Sequence, residues 1–287
     1  MTRADLASAW TFEPTVVIPL AVLGVAYTLA VVRARTERGR RAAPLVRAAW
    51  FAAGWISLLF ALVSPIDRLG ETLFAGHMVQ HLVLIVVAAP LLVIGAPPPL
   101  WLWLFGASTR RAIGRWLTHS RTARIVTAPA RTPPAILAVN IGVLWFWHLP
   151  RPYQAAIGTP AVHALEHASF LGAAALFWWV VLRPVGRRVL GYGQAIIYIG
   201  IVLGASGALG ALLMFSPPWY AVHLAGEQAW GMTPLADQQL AGLLMWIPSG
   251  AVYLGTAAAL FLRWMASEEQ GSHRVVGKLS QAPGAAL

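Results

Sequence analysis

The sequence predicts an all-α fold, a polytopic membrane bundle of seven transmembrane helices, and three observations lead to this prediction. Only 11% of the 287 residues are charged while 58% are hydrophobic, whereas a soluble domain carries about 25% charged residues. Several apolar runs come close to the roughly 20 residues with which an α-helix crosses a bilayer. Loops rich in arginine alternate along the chain with loops that almost lack it, which is typical of proteins that cross a membrane repeatedly.

The first apolar run follows a short N-terminal segment of mixed composition. A signal peptide would carry its basic residues before the apolar run, whereas here a block of five arginines comes after it, between residues 33 and 41. We therefore expect a membrane span whose N-terminal end lies outside and whose C-terminal end lies in the cytoplasm. The seven predicted spans cover about residues 14–32, 46–63, 72–94, 134–147, 160–182, 191–215 and 239–262.

The composition of the other loops sets the orientation of the later spans. The loops after the second, fourth and sixth spans contain only Arg68 and Arg151 as basic residues and are expected outside. The loops after the third and fifth spans, expected in the cytoplasm, contain Arg110, Arg111, Arg115, Arg121, Arg124, Arg131, Arg183, Arg187 and Arg188. The C-terminus is then cytoplasmic. We expect a single membrane domain over residues 1–265 and a polar cytoplasmic tail over 266–287.

Three local features refine this picture. Tryptophans followed by arginines after the third span indicate a segment lying in the cytoplasmic interface at about 97–131. Pro90 lies inside the third span, where a proline interrupts helix hydrogen bonding and is a candidate for a kink. Gly200, Gly204 and Ala208 form a stripe of small residues on the sixth span, which would permit close contact with another helix.

Charge and cysteine content exclude several classes of partner and site. The net charge is +11, and Lys278 is the only lysine. Such an excess would suggest nucleic-acid binding in a soluble protein, but here the arginines lie in loops, so we expect a lipid bilayer and no nucleic acid as partner. The chain has no cysteine, which excludes disulfides, thiolate metal sites and the haem c attachment motif.

Two histidine pairs point to a functional site. His77 and His81 lie at the start of the third span, and His163 and His167 lie at the start of the fifth. Residues four apart share one face of a helix, and ionisable side chains in a membrane span are costly enough to indicate function. The predicted topology places both pairs near the outer surface.

Two further histidines lie on the same predicted side. His148 ends the fourth span and His223 lies in the last outer loop, whereas His119 and His273 are expected in the cytoplasm. An interfacial hydrogen-bonding role is an equal alternative for His148 and His223. The candidate metal ligands are therefore His77, His81, His148, His163, His167 and His223.

Three other residues are candidates for accessory roles at this site. Glu166 lies next to His167 and is not expected to share the face of the histidine pair. It would serve a second ligand shell or be an interfacial charge. Asp237 lies at the start of the last span, where it would stabilise a helix N-terminus or recruit an ion. Met78 is either a soft ligand or a packing residue.

Imidazoles from two helices would suit copper, zinc or haem iron, and several functions remain open at this point. Spans three and five could each give one axial histidine to a haem b in an electron-transfer protein. His163 to His167 also reads HxxEH, a weak match to one type of zinc protease. A metal transporter would need polar groups through the inner half, where Asn140, Ser206 and Ser249 are the few candidates.

Four motifs taken together resemble the multi-span CtaG-type cytochrome c oxidase assembly factors over about residues 69–262. They are HMVQH at residues 77–81, LWFWHLP at 144–150, HALEH at 163–167 followed by Trp178 and Trp179, and DQQLAG at 237–242. The resemblance implies a multi-pass protein of the bacterial cytoplasmic membrane that handles copper for a haem-copper oxidase, with the oxidase subunits as partners. It also implies a non-enzymatic role without catalytic residues.

By the same resemblance, five of the candidate ligands are the family-motif histidines, and Asp237 belongs to the last motif. The resulting hypothesis is a copper pocket lined by histidines at the outer ends of spans three, four and five. The loop that carries His223 would cover this pocket.

Overall fold

The computed structural model describes residues 8–122, 132–182 and 189–280, and these residues contain helices but no strand. Within these ranges, six helical segments are long and apolar enough to cross a membrane. The predicted all-α membrane bundle is therefore confirmed. These segments are Pro14–Arg38, Leu45–Val63, Phe74–Gly95, Pro160–Leu182, Tyr192–Phe215 and Pro234–Gln270.

The α-helices are numbered here in chain order. They are α1 (Pro14–Arg38), α2 (Leu45–Val63), α3 (Pro65–Thr72), α4 (Phe74–Leu82), α5 (Ala89–Gly95), α6 (Pro98–Trp101), α7 (Ala107–His119), α8 (Pro133–Trp147), α9 (Pro150–Gly158), α10 (Pro160–Leu182), α11 (Tyr192–Phe215), α12 (Leu224–Trp230) and α13 (Pro234–Ser280). A π-helix, Val83–Ala88, joins α4 and α5 into one rod.

The predicted fourth span corresponds to α8, which has 15 residues. At 1.5 Å per residue it is about 22 Å long, shorter than the roughly 30 Å of a bilayer's hydrocarbon core. The count of seven spans and the orientation of the termini therefore stay predictions. The arginines at 124, 131, 183, 187 and 188, on which part of that orientation depends, lie outside the described residues.

The described parts of the predicted interfacial segment and of the predicted tail contain helices, and residues 123–131 of the segment lie outside the described part of the chain. The segment at 97–131 contains α6 and α7, and no residue of α7 is buried. Helix α13 continues beyond the predicted start of the tail at residue 266 and ends at Ser280. The last seven residues of the tail, 281–287, lie outside the described part of the chain.

Three short helices lie where the sequence predicted loops, and all three cover the same end of the bundle. Helices α3 and α9 each begin with a proline at the first helical position, where its missing N–H group is tolerated. Helix α12 contacts α3 at Gly226, where an added Cβ would collide with the carbonyl oxygen of Thr72. We call this end the histidine end, because His77, His148, His163 and His223 lie there.

The proline in the third span, Pro90, lies two residues after the end of the π-helix. The register of the π-helix is visible at Ala89, whose N–H bonds to the carbonyl of Leu84, five residues back. In that register the residue whose N–H would donate to the Ile85 carbonyl is Pro90, but proline has no N–H to donate. The indole N–H of Trp178 on α10 donates to this carbonyl instead, at 2.7 Å. This bond joins the two histidine-bearing rods, about one helical turn past His81 on the first rod and about three turns past His167 on α10.

The small-residue stripe on the sixth span does not form the helix contact that was expected of it. Gly200, Gly204 and Ala208 are exposed, and no heavy atom lies within 4 Å of a Cβ added at either glycine. Helices α11 and α13 instead approach at Gly210 and Gly242, where a Cβ on Gly242 would lie 2.6 Å from the Gly210 carbonyl oxygen. The prediction was wrong because the stripe lies on the other face of α11.

Candidate metal centre

The two histidine pairs meet inside the histidine end. Helix α4 carries His77 and His81, and α10 carries His163 and His167. The ring centroid of His77 lies 5.2 Å from that of His163 and 5.7 Å from that of His167, while His81 and His167 are 5.5 Å apart. His77 is fully buried and only His163 is partly exposed. The structure thus brings together four of the six predicted ligands.

Glu166 lies between the rings of α4. Its Oε2 is 3.3 Å from Nε2 of His77, and its Oε1 is 3.5 Å from Nε2 of His81. Four side chains each offer one ligand atom, and these four atoms all lie within 4.8 Å of one another, a spacing that could hold a metal ion. The side chains are those of His77, His163, Glu166 and His167. We call these four residues the central cluster.

The central cluster is poor in hydrogen bonds. In the described part of the chain, eleven buried side-chain nitrogen or oxygen atoms have no hydrogen-bond partner, and eight of them belong to this cluster and His81. They are both ring nitrogens of His77 and His81, Nε2 of His163 and His167, and both carboxylate oxygens of Glu166. The short distances between Glu166 and the two histidines therefore lack hydrogen-bond geometry. Because each such buried group costs about 1–3 kcal/mol, their concentration at one point indicates a site for a ligand.

The donor set fits a divalent transition metal. Imidazole nitrogens suit zinc, copper and iron, and a carboxylate adds a harder oxygen donor with a negative charge. Interpreting Glu166 as an interfacial charge was wrong, because its side chain is fully buried. Glu166 is three residues after His163, and residues three apart are neighbours on a helix surface.

Asp237 holds the start of the histidine-bearing helix α4 rather than that of its own helix. Its Oδ2 accepts from the backbone N–H of Phe74 at 2.7 Å, and its Oδ1 accepts from that of Ala75 at 2.9 Å. The residue before α4, Leu73, offers no side-chain cap, so the carboxylate of Asp237 satisfies two of the orphan N–H groups at this end. His77 follows three residues after Phe74, which makes Asp237 a positioning residue.

His148 lies next to His81 at the C-terminal end of α8. Its Nδ1 is 2.6 Å from the carbonyl oxygen of Leu144, and its Nε2 is 3.3 Å from Sδ of Met78. The ring centroids of His148 and His81 are 5.9 Å apart. The backbone of His148 is held as well, because the hydroxyl of Tyr220 donates to its carbonyl at 2.6 Å.

His223 is separated from the central cluster by Tyr153. Its Nε2 is 2.7 Å from the Tyr153 hydroxyl, and its Nδ1 is 3.2 Å from the Glu71 carbonyl oxygen. The edge of the Tyr153 ring meets His77, with centroids 5.2 Å apart. Burial lowers the pKa of His223 to about 4 and raises the pKa of Tyr153 well above its usual value. At neutral pH, Nδ1 therefore donates to Glu71 and Nε2 accepts from the tyrosine hydroxyl. His223 remains a predicted ligand whose two nitrogens have other partners.

A polar network that the sequence analysis missed supports α4 from the other side. The Gln80 amide donates to Oδ1 of Asp67 at 2.9 Å and to the Ala61 carbonyl at 3.1 Å. The Thr11 hydroxyl donates to the other oxygen of Asp67 at 2.7 Å. Burial raises the pKa of Asp67, although both hydrogen bonds lower it. The HMVQH motif gives no spacing signal for this role of Gln80.

Two cavities reach the histidines. One, of about 80 Å³, has His163 and His167 in its wall and the acidic side chains of Glu13, Asp67 and Glu71 around it. The other, of about 40 Å³, lies deeper in the bundle beside Met78, His81 and His148, and it also contacts Asn140, Ser206 and Ser249. The three polar residues considered for a transport path thus line a space next to the histidines.

Comparison with known proteins gives one family and three relatives. The family model of the cytochrome c oxidase caa3 assembly factors (Caa3_CtaG) matches residues 25–267. An uncharacterized protein of Mycobacterium leprae (strain TN) is 25% identical over 281 residues, which is 93% of this chain and 40% of that protein. Uncharacterized proteins of Mycobacterium bovis and Mycobacterium tuberculosis are each 22% identical over 282 residues, 95% of this chain and 42% of theirs.

The chain therefore spans about two fifths of the length of these curated relatives. No solved structure matches it.

Proposed function

This chain belongs to the cytochrome c oxidase caa3 assembly factor family, and on that premise we propose that it binds copper at its histidine end and delivers it to the oxidase. Copper is here a cargo, not a resident cofactor. The observation that carries the proposal is the set of eight buried donor atoms without hydrogen-bond partners, supplied by His77, His81, His163, Glu166 and His167. Neutral imidazoles and a carboxylate are ligands that a divalent copper or zinc ion accepts.

The spacing of the rings favours a bare ion over a haem. A bis-histidine haem needs one axial ring on each side of the macrocycle. The rings of α4 and α10 instead pack directly against each other, with the His77 and His163 centroids 5.2 Å apart and the two rings 24° from parallel. Zinc remains the alternative metal for this donor set.

We further propose that the histidine end faces the outside of the bacterial cytoplasmic membrane. The support is the arginine bias of the sequence, which assigns the loops at the other end to the cytoplasm. The partners would be the subunits of a haem-copper oxidase, and the role would be non-catalytic. A site without thiolates suits a cargo that must be released again, because thiolates are the softer and more retentive ligands for copper.

Metal analysis of the purified full chain in detergent tests the proposal. The double variant His77→Ala/His81→Ala is expected to lose stoichiometric copper, whereas His119→Ala, an exposed histidine on α7, is expected to keep it. Size-exclusion profiles and helical circular dichroism control for folding. Unchanged copper content in a folded double variant would refute the proposal. In cells, the same variant should lower oxidase activity, and added copper should restore part of it.

A further inference from the structure

A second set of donors lies beside the central cluster, made by Met78, His148 and His81. His148 Nδ1 is 2.6 Å from the Leu144 carbonyl oxygen. A carbonyl can only accept, so Nδ1 carries the hydrogen, and the neutral ring presents a lone pair at Nε2. That lone pair lies 3.3 Å from Sδ of Met78, which is itself only a weak acceptor. The nitrogen of His148 and the sulfur of Met78, both electron-pair donors, are therefore in contact with no hydrogen between them.

These donors are held in place and shielded from water. Met78 is fully buried and His148 is 1% exposed. His148 is fixed through both its ring and its backbone carbonyl, which accepts from the Tyr220 hydroxyl. The contact between Nε2 of His148 and Sδ of Met78 therefore lies in the protein interior, between side chains that are buried.

Helix geometry separates this set from the central cluster. Met78 follows His77 directly, so it points about 100° around α4 from His77. Met78 is also three residues before His81, which makes these two neighbours on the helix surface. Helix α4 therefore presents His77 toward α10 and Met78 toward His148 on α8, and His81 lies between the two sets. The cavity of about 40 Å³ that Met78, His81 and His148 line exceeds the roughly 10–15 Å³ that one water molecule needs.

We propose that Met78, His148 and His81 form a second metal site, selective for a soft monovalent cation such as Cu⁺. A thioether with imidazoles favours Cu⁺, whereas the carboxylate of the central cluster favours a divalent ion. This inference rests on the proposed function and deepens it, because it assigns the two oxidation states of the cargo to neighbouring donor sets.

Two redox-inert probes distinguish the sites: Ag⁺ for the soft site and Zn²⁺ for the central cluster. Equilibrium dialysis of the full chain in detergent, followed by metal analysis, is expected to give about one of each ion per chain, bound together. Met78→Leu should weaken Ag⁺ binding by about tenfold or more and leave Zn²⁺ binding unchanged. The matched control is Met245→Leu, which removes the thioether of another residue lining the same cavity.

The reciprocal variant is His163→Ala/His167→Ala, which should lose Zn²⁺ and keep Ag⁺. X-ray absorption of the silver complex should detect one sulfur neighbour that disappears in Met78→Leu. The inference is overturned if Ag⁺ and Zn²⁺ compete for a single site, if Met78→Leu binds Ag⁺ as the wild type does, or if Met245→Leu is the variant that loses it. Loss of the divalent site alone would count against the proposed function and leave the soft site standing.

Discussion

Replacing Glu166 by leucine should stabilise the metal-free protein and give the metal-loaded protein no advantage. The change removes two buried oxygens that have no hydrogen-bond partner, each costing about 1–3 kcal/mol. The nearby histidine nitrogens, at 3.3 and 3.5 Å, offset part of that cost. We therefore expect the free energy of unfolding of the metal-free protein to rise by about 2 kcal/mol, which shifts Tm by about 4–8 °C.

Copper should cancel this advantage. At a copper concentration of about 100 times Kd, the wild type gains about 2.7 kcal/mol of stability. If the variant binds about a hundredfold more weakly, it gains only about 0.4 kcal/mol at the same concentration. Thermal unfolding in detergent, with and without copper, measures both quantities.

The matched control is Glu227→Leu. Glu227 is another buried carboxylate with an unpartnered Oε2, but it lies on α12, outside the central cluster. Its replacement should leave the copper-dependent gain intact. If Glu166→Leu lowers the stability of the metal-free protein, Glu166 is a structural residue and our interpretation of the unpartnered atoms is wrong.

Three further predictions concern the support of the site. Trp178→Phe removes the N–H that donates to the Ile85 carbonyl and should destabilise the protein by about 1–3 kcal/mol in thermal unfolding, whereas Trp116→Phe, at an exposed position, should change it little. Asp237→Asn should weaken copper binding by loosening the start of α4, and faster amide exchange there would accompany the loss; copper affinity equal to wild type would contradict this role. Because burial lowers the pKa of His223 to about 4, its neutral form stabilises the fold fully above pH 6.5, and about 3 kcal/mol should be lost as pH falls from 6.5 to 4. Chemical unfolding as a function of pH should therefore give a shallower profile for His223→Gln than for the wild type, and parallel profiles would refute this.

The helical period of the sequence predicted which site residues share a face of the same helix. The spacing of His77 with His81 and of His163 with His167 placed each pair on one face, and the structure turns both faces inward. The same spacing applied to Gly200 and Gly204 failed. In a membrane helix that is apolar on all sides, small residues do not reveal which side meets a neighbour, whereas buried polar side chains must turn away from lipid.

Contacts between helices distant in the sequence could not be predicted. The bond from Trp178 to the Ile85 carbonyl depends on the relative height of two helices, and the capping of α4 by Asp237 crosses 163 positions of the chain. The alignment of His148 with Met78 depends on the rotation of α8 against α4. The short helices α3, α9 and α12 were missed because none is longer than nine residues, which is too short for a helical period to stand out in the sequence.

The hydrogen bonds around the proposed site are distributed unevenly. Around the centre, Asp237 caps α4, Gln80 bonds to Asp67, and Tyr153 bonds to His223. At the centre, the donors of the central cluster lack partners. If these donors were free to rotate, they would find partners among themselves, and the site would have to reopen for each ion. A hydrogen-bonded shell around a centre whose donors lack partners would keep the proposed ligands apart, which lowers the reorganisation needed on binding. Under the proposed function this arrangement would let the protein capture and release copper with little change in the fold.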